Sequence, residues 1–358
     1  MSLRFLALTA ALSVPIAAPL AAQAQTSLTL YGIADAGLRY GQGLSAANAP
    51  AATSSTGLAS GVNTTSRFGL RGREDLGGGL YALFNVETGL NLDTGTTANA
   101  GKFFDRAAIV GLGGTWGQVT AGRQTNLLAD AISPVDAAGM RFASFNPNIA
   151  TAALSSHGLG LEYGTAGAST GSYRLDNALK YTGRFGPWTA RAMYSFGETA
   201  QGGAARSSAG AGLSYTSNPW TVSGAFQRFR TSDRLTLEAA TLGAAYQAGS
   251  LRLALNTARS DGQTSATSRT VQRVHSAGVT WAATRTVDLT AALYRVDRER
   301  SGKASDGYTR ALLFAEYKLS KRSKLYAELD RTRWSGGYQG PQGKSQATGL
   351  TTGLVHHF

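Results

Sequence analysis

The chain has 358 residues, 45 of them glycine, 8 proline and none cysteine, and it carries a formal charge of +13. Without cysteine, disulfides and thiolate metal sites are excluded. The basic excess is scattered along the whole chain rather than gathered in a run, which argues against a nucleic-acid partner and for water-facing arginines or contact with anionic lipid.

The first element is a secretory signal peptide over residues 1–24. Arg4 supplies the positive start and an apolar stretch follows. Ala22-Gln23-Ala24 is a small-residue cleavage site, leaving 25–358 as the exported chain. Beyond it no stretch approaches the roughly 20 consecutive apolar residues of a membrane helix. An exported chain of this size without disulfides needs another source of rigidity, and a closed β-barrel provides one by pairing every backbone group across strands.

The strands read as segments of about ten residues with period-two alternation, the pattern of a transmembrane barrel. Residues 28–40 open the series, and residues 42–64 follow as a long polar loop. Over 66–73, Phe68 and Leu70 share one face while Arg67, Arg71 and Arg73 share the other; three arginines on one face belong in water, not in lipid. Over 80–86, Leu80, Ala82, Phe84 and Val86 oppose Tyr81, Asn85 and, just beyond, Glu87. Short connections fall at 74–78, 114–116, 184–187, 216–219, 247–250, 283–285 and 320–323, with longer polar segments such as 201–206, 262–268 and 300–306 between them. Short turns on one rim and long loops on the other match an outer-membrane barrel. Seven hairpins plus a first strand and a last strand (347–358) give sixteen, and an even count closes the sheet antiparallel. Tyr and Trp residues near strand ends, among them Trp116, Trp188, Trp220, Tyr294, Tyr308, Tyr326 and Trp334, are expected to form girdles at both interfaces.

One connection breaks the rhythm. Residues 124–172 alternate weakly and contain Pro134 and Pro147. A long loop in a compact fold is usually functional, and in a wide barrel its natural place is the lumen, where it acts as a constriction.

These residues resemble the general diffusion porins of Gram-negative outer membranes, of the β-proteobacterial type. The similarity is carried by Thr26-Ser27-Leu28-Thr29-Leu30-Tyr31-Gly32, by Ser66-Arg67-Phe68-Gly69-Leu70-Arg71-Gly72 with Glu74-Asp75-Leu76-Gly77, and by Asp105-Arg106-Ala107-Ala108-Ile109-Val110-Gly111 with Gly122-Arg123-Gln124. Leu319-Ser320-Lys321-Arg322 and the terminal Leu354-Val355-His356-His357-Phe358 extend it to the end of the chain. The resemblance implies an all-β, 16-stranded antiparallel transmembrane barrel whose long third loop folds into the pore. It also implies a homotrimer in the outer membrane, in contact with lipid and lipopolysaccharide and passing ions and small hydrophilic solutes. Carried over by motif, Arg67, Arg106, Arg123 and Arg174 are the wall candidates of the constriction. Asp130 and Asp136 are the loop-side candidates, with Arg141 as a basic partner. The acidic Pro-Glu-Phe-Gly type of third-loop motif is absent, and Pro134-Val135-Asp136-Ala137 only echoes it. A weakly acidic loop against an arginine wall favours anions.

No chemistry is expected, and no cofactor or metal. Gly111-Leu112-Gly113-Gly114-Thr115-Trp116 has glycines of a dinucleotide fingerprint, but a strand follows where a helix is required. His356 and His357 are adjacent, so a strand sends them to opposite faces. The rival readings are a substrate-specific uptake channel of the same fold, and a barrel enzyme or adhesin.

Overall fold

The structure, a computed structural model, describes residues 27–152, 173–197, 207–230, 234–341 and 343–358. The signal peptide expected at 1–24, the second part of the segment 124–172 and the whole loop at 201–206 lie outside the described residues. The strands are β1 (Ser27–Leu44), β2 (Pro50–Ser60), β3 (Arg67–Gly77), β4 (Leu80–Asn91), β5 (Thr96–Thr97), β6 (Ala107–Gly114), β7 (Gly117–Thr125), β8 (Arg174–Phe185) and β9 (Trp188–Ser195). They continue with β10 (Ser208–Ser217), β11 (Trp220–Arg230), β12 (Thr236–Ala248), β13 (Leu251–Gln263), β14 (Arg269–Ala282), β15 (Val287–Arg300), β16 (Asp306–Lys318), β17 (Ser323–Ser335) and β18 (Gln346–His357). Two short helices, α1 (Leu127–Ile132) and α2 (Pro147–Ala152), lie between β7 and β8.

All wall pairings are antiparallel and join sequence neighbours, and β1 closes the ring on β18 from Ile33↔His357 to Gln42↔Thr348. The other edge of β1 is shared. Its first half pairs with β3 from Ser27↔Arg73 to Ile33↔Arg67, and its second half pairs with β2 from Ala36↔Ser60 to Leu44↔Pro50. β2 and β3 thus fill one position in the wall, and β5 is a two-residue ladder in a loop. The barrel therefore has sixteen staves. Closure pairs the sixteen staves all round, which a bilayer requires; among the described residues, the extension β2 is paired on one side only, to β1.

The seven short connections stand where the sequence put them. At two of them, Gly186 and Gly249 adopt φ of 57° and 58°, the left-handed region that glycine enters without penalty. The expected loop at 42–64 is different. Most of it is the hairpin of β1 and β2, built from Ala, Ser and Thr that carry no apolar period. Apolar alternation reports contact with lipid; above the bilayer, backbone pairing continues without it.

Alternation settles which face is outside. Leu242, Leu255, Leu293, Leu313, Leu329 and Leu350 are 43–61 % exposed, while their neighbours Asn256, Tyr294, Leu312, Glu328, Asp330 and Thr351 are buried. A soluble fold would hide the leucines. An exposed apolar band with a polar interior is the inverse arrangement of a wet-lumen barrel. Aromatics ring the short-turn rim, where Trp188 packs on Tyr215 at 4.9 Å, Trp220 on Tyr246 at 4.6 Å and Trp116 on Tyr181 at 6.5 Å. Tyr294, Tyr308, Tyr326 and Trp334, expected in the girdles, are instead buried on the inner face. Position along the chain placed them near strand ends, but parity decides inside from outside.

Candidate functional site

The inner space is shaped by two opposed sets of side chains. On one side, residues 127–149 pack against the inward faces of β9 to β17. Asn126 caps α1, its Oδ1 accepting from Ala129 N at 2.9 Å. Leu127, Leu128 and Ile132 then bury against Leu175, Met193, Phe229 and Leu237. The inward Gln227 Oε1 accepts from Leu127 N at 3.0 Å. Two wall glycines seat the next turn. A Cβ at Gly243 would lie 2.5 Å from Val135 Cγ2, and one at Gly278 would lie 2.6 Å from Ala137 Cβ.

Asp136 is the knot of this segment. It is fully buried and accepts from Met140 N at 2.7 Å, Ala138 N at 3.2 Å, Asn146 Nδ2 at 3.0 Å, Asn148 Nδ2 at 2.7 Å and Tyr294 OH at 3.4 Å. The wall adds cationic anchors. Arg252 Nη2 donates to Pro134 O at 2.7 Å, and Arg310 Nη1 donates to Phe145 O. Arg141 reaches across to Glu316. Burial pushes its guanidinium down to about 10, against the pull of Asp136 and Asp288.

On the other side lies the arginine cluster. Arg106 Nε donates to Glu87 Oε1 at 2.6 Å, and Tyr31 OH donates to Glu87 Oε2 at 2.9 Å. Arg174 stands with its Cζ 4.3 Å over the Tyr173 ring. Burial acts to raise the Tyr173 phenol, but the charges of Arg174, Arg106 and Arg67 outweigh it and hold the phenol below its ordinary value. Arg174 thus touches the phenol directly, its Nη2 donating to Tyr173 OH at 3.4 Å, while Arg106 and Arg67 act on it through their charges, with Glu87 paired to Arg106. On the same wall Arg71 stands 5.1 Å over Tyr31 and Arg73 3.6 Å over Tyr81.

The sequence candidates divide. Arg67, Arg106 and Arg174 come together. Arg123 is engaged as a brace, its Nη1 on Asp176 Oδ1 at 2.8 Å and its Nε on Asp105 O at 2.5 Å. Asp130 receives Lys180 Nζ at 2.8 Å and Thr125 Oγ1 at 2.7 Å, with Arg191 Nε 4.0 Å away. Asp136 departs from expectation: a fully buried carboxylate satisfied largely by its own loop faces no solute. Arg141 departs as well, pairing with the wall rather than with loop acids. Sequence reasoning did not select Glu87, Lys180, Arg191, Arg252 or Arg310. Strand parity puts these five on the inner face, but it does not say which inward charges meet.

Residues 7–337 match the Gram-negative porin family model. An outer membrane porin protein of Bordetella pertussis is 41 % identical over 143 residues, 37 % of each chain. Outer membrane porin protein 32 of Delftia acidovorans is 32 % identical over 256 residues, 66 % of this chain and 65 % of the relative. The matched regions thus span less than two thirds of these relatives' own lengths. Among solved structures, an anion-selective porin from Comamonas acidovorans superposes with a TM-score of 0.77 at 24 % identity, over 93 % of this chain and 100 % of that one. OmpT of Vibrio cholerae, in a trimer form, superposes with a TM-score of 0.69 at 17 % identity, over 93 % and 99 %.

Proposed function

The chain belongs to the Gram-negative porin family, and from that premise we propose that it forms a water-filled outer-membrane pore for passive diffusion of ions and small hydrophilic solutes, with a preference for anions. The observation that carries the charge preference is the cluster of Arg67, Arg106 and Arg174 around Tyr173, balanced locally by Glu87. Fixed positive charge in a narrow, low-dielectric passage raises the local concentration of anions. Residues 127–149 serve as the inner constriction in this reading, and their anchors on Arg252, Arg310 and Glu316 keep its width constant.

The same reading covers export and assembly. Residues 1–24 are removed as a signal peptide, the barrel assembles as a homotrimer, and its outer rim meets lipopolysaccharide. Transport of this kind involves no bond making or breaking, so no enzymatic activity, cofactor or metal belongs to it. The test is the reversal potential of the purified protein in a planar bilayer across a KCl gradient. The expected sign is that of an anion-selective pore, reduced in Arg106→Ala. A cation-selective sign would overturn the charge assignment, and absence of conductance from folded protein would overturn the pore.

A further inference from the structure

On the inner face of β17, Glu328 and Asp330 stand two residues apart, with side chains 0 % and 1 % exposed. One oxygen of each is satisfied. Glu328 Oε2 accepts from Thr351 Oγ1 at 2.9 Å and from Arg39 Nη1 at 3.2 Å, and Asp330 Oδ2 accepts from Arg39 Nη2 at 2.7 Å. The other oxygen of each, Glu328 Oε1 and Asp330 Oδ1, is buried with no partner among the described residues. The two carboxyl groups are thus held side by side on the two terminal nitrogens of one guanidinium. Two ionised carboxylates offer only acceptors, so neither can satisfy the other's oxygen. A contact between them requires a proton, as it does wherever two like charges share one buried site.

We propose that Glu328 and Asp330 form a buried proton-binding site in which the pair shares one proton, leaving a single negative charge opposite Arg39. The surroundings favour a proton over a larger cation. The backbone of β18 presses on the pair at Gly349, where a Cβ would collide with Asp330 Oδ2 and the Arg39 guanidinium. Among the described residues, the charged and titratable groups facing the pair are few. Arg39 on β1 is shared with Asn48 Oδ1 at 2.5 Å. Arg310 on β16 directs its donors to Thr332 Oγ1 at 2.7 Å and to Phe145 O. Tyr326 on β17 donates to Asp35 Oδ1 of β1 at 2.9 Å. The guanidinium bound to the two carboxyls is therefore that of Arg39. Its Cζ lies 4.2 Å over the Phe145 ring of the inner segment, so the protonation state of the pair is felt where that segment rests on the wall. A second proton, taken up in acid, strips the buried Arg39 of its anionic partner and weakens the contact with Phe145.

Infrared spectroscopy of the folded barrel near neutral pH tests this, with H₂O-to-D₂O exchange to mark protonated carboxylic acids. The wild-type protein is expected to show a deuterium-sensitive carboxylic acid carbonyl band that disappears in both Glu328→Gln and Asp330→Asn. In each variant the new amide donates where the proton did, so folding, read as heat-modifiable gel mobility, is expected to persist. The wild-type spectrum decides the first point even if one variant fails to fold. No such band in the wild type would overturn the proposal, as would a band that survives both substitutions, which would belong to another acid such as Asp35. A missing band together with an unfolding temperature that falls when Na⁺ is replaced by tetramethylammonium would assign the site to a cation and also overturn it.

Discussion

Arg106 Nε lies 2.6 Å from Glu87 Oε1, and this pair sets the charge of the arginine cluster. Their side chains are 6 % and 14 % exposed, so solvent screens them only in part. Glu87→Gln removes the negative charge that acts on Arg106 and Arg67 and makes the cluster more positive by one. The anion-to-cation permeability ratio is expected to rise roughly two- to fivefold in dilute KCl, the effect of ~0.4–1 kcal/mol of screened Coulomb energy, and less in molar salt. Arg106→Ala is expected to move the ratio the other way. Reversal potentials of both variants at two ionic strengths check the sign and the screening together.

Tyr173 reports the same field by titration. The arginines hold its phenol below the ordinary value of 10. A folded pKa below the unfolded one means the folded state binds the tyrosinate preferentially. The associated stability therefore appears as pH rises through the folded pKa and is complete above the unfolded one. Ultraviolet difference titration is expected to show one tyrosine ionising ahead of the rest, and Tyr173→Phe should abolish that early step. Anion preference should fall over the same interval, because the new charge neutralises part of the cluster. An unchanged early step in Tyr173→Phe would refute the placement of that phenol among the guanidiniums.

How far the sequence reaches is visible in these residues. Sixteen staves and seven tight turns follow from alternation and turn chemistry, because both are local. Arg67, Arg106 and Arg174 were legible through motif similarity, since each sits in a segment with a recognisable neighbour pattern. Glu87 was visible as a water-facing residue but not as the partner of Arg106, because that contact depends on the registers of β3, β4 and β6. Asp136 misled for a related reason. A carboxylate in a long loop reads as solvent-facing, and nothing local announces that Asn146 and Asn148 turn back to bury it. The hairpin of β1 and β2 escaped notice because strands above a bilayer need no apolar face.

Asp136 is expected to matter for the inner segment far more than for the barrel. Asp136→Ala takes the carboxylate acceptor from two backbone amides and the Tyr294 hydroxyl, and one of two acceptors from each of the Asn146 and Asn148 side chains, at a cost of about 3 kcal/mol of local stability. The ladder of β-strands does not depend on it, so heat-modifiable mobility should be unchanged. Single-channel records should show added flicker, and residues near Met140 should become sensitive to protease. Quiet, wild-type records would show that Arg252, Arg310 and the apolar seat of α1 suffice to hold the segment.

The wall glycines give an independent way to move that segment without touching its charges. A methyl group at Gly278 would stand 2.6 Å from Ala137 Cβ, too close for any real contact. Crowding of this kind in a packed region costs about 1–3 kcal/mol. In Gly278→Ala the same methyl would stand 2.7 Å from Ala291 O of β15, so the loop and the local β14–β15 pairing both have to yield. Gly57→Ala is the control, because a Cβ there meets nothing within 4 Å. Gly278→Ala is expected to change single-channel conductance while leaving the sign of selectivity intact, since no charge is altered. Gly57→Ala is expected to do neither. If both variants conduct alike, the segment carrying Ala137 does not set the width of the passage, and the constriction must be sought among the wall side chains themselves.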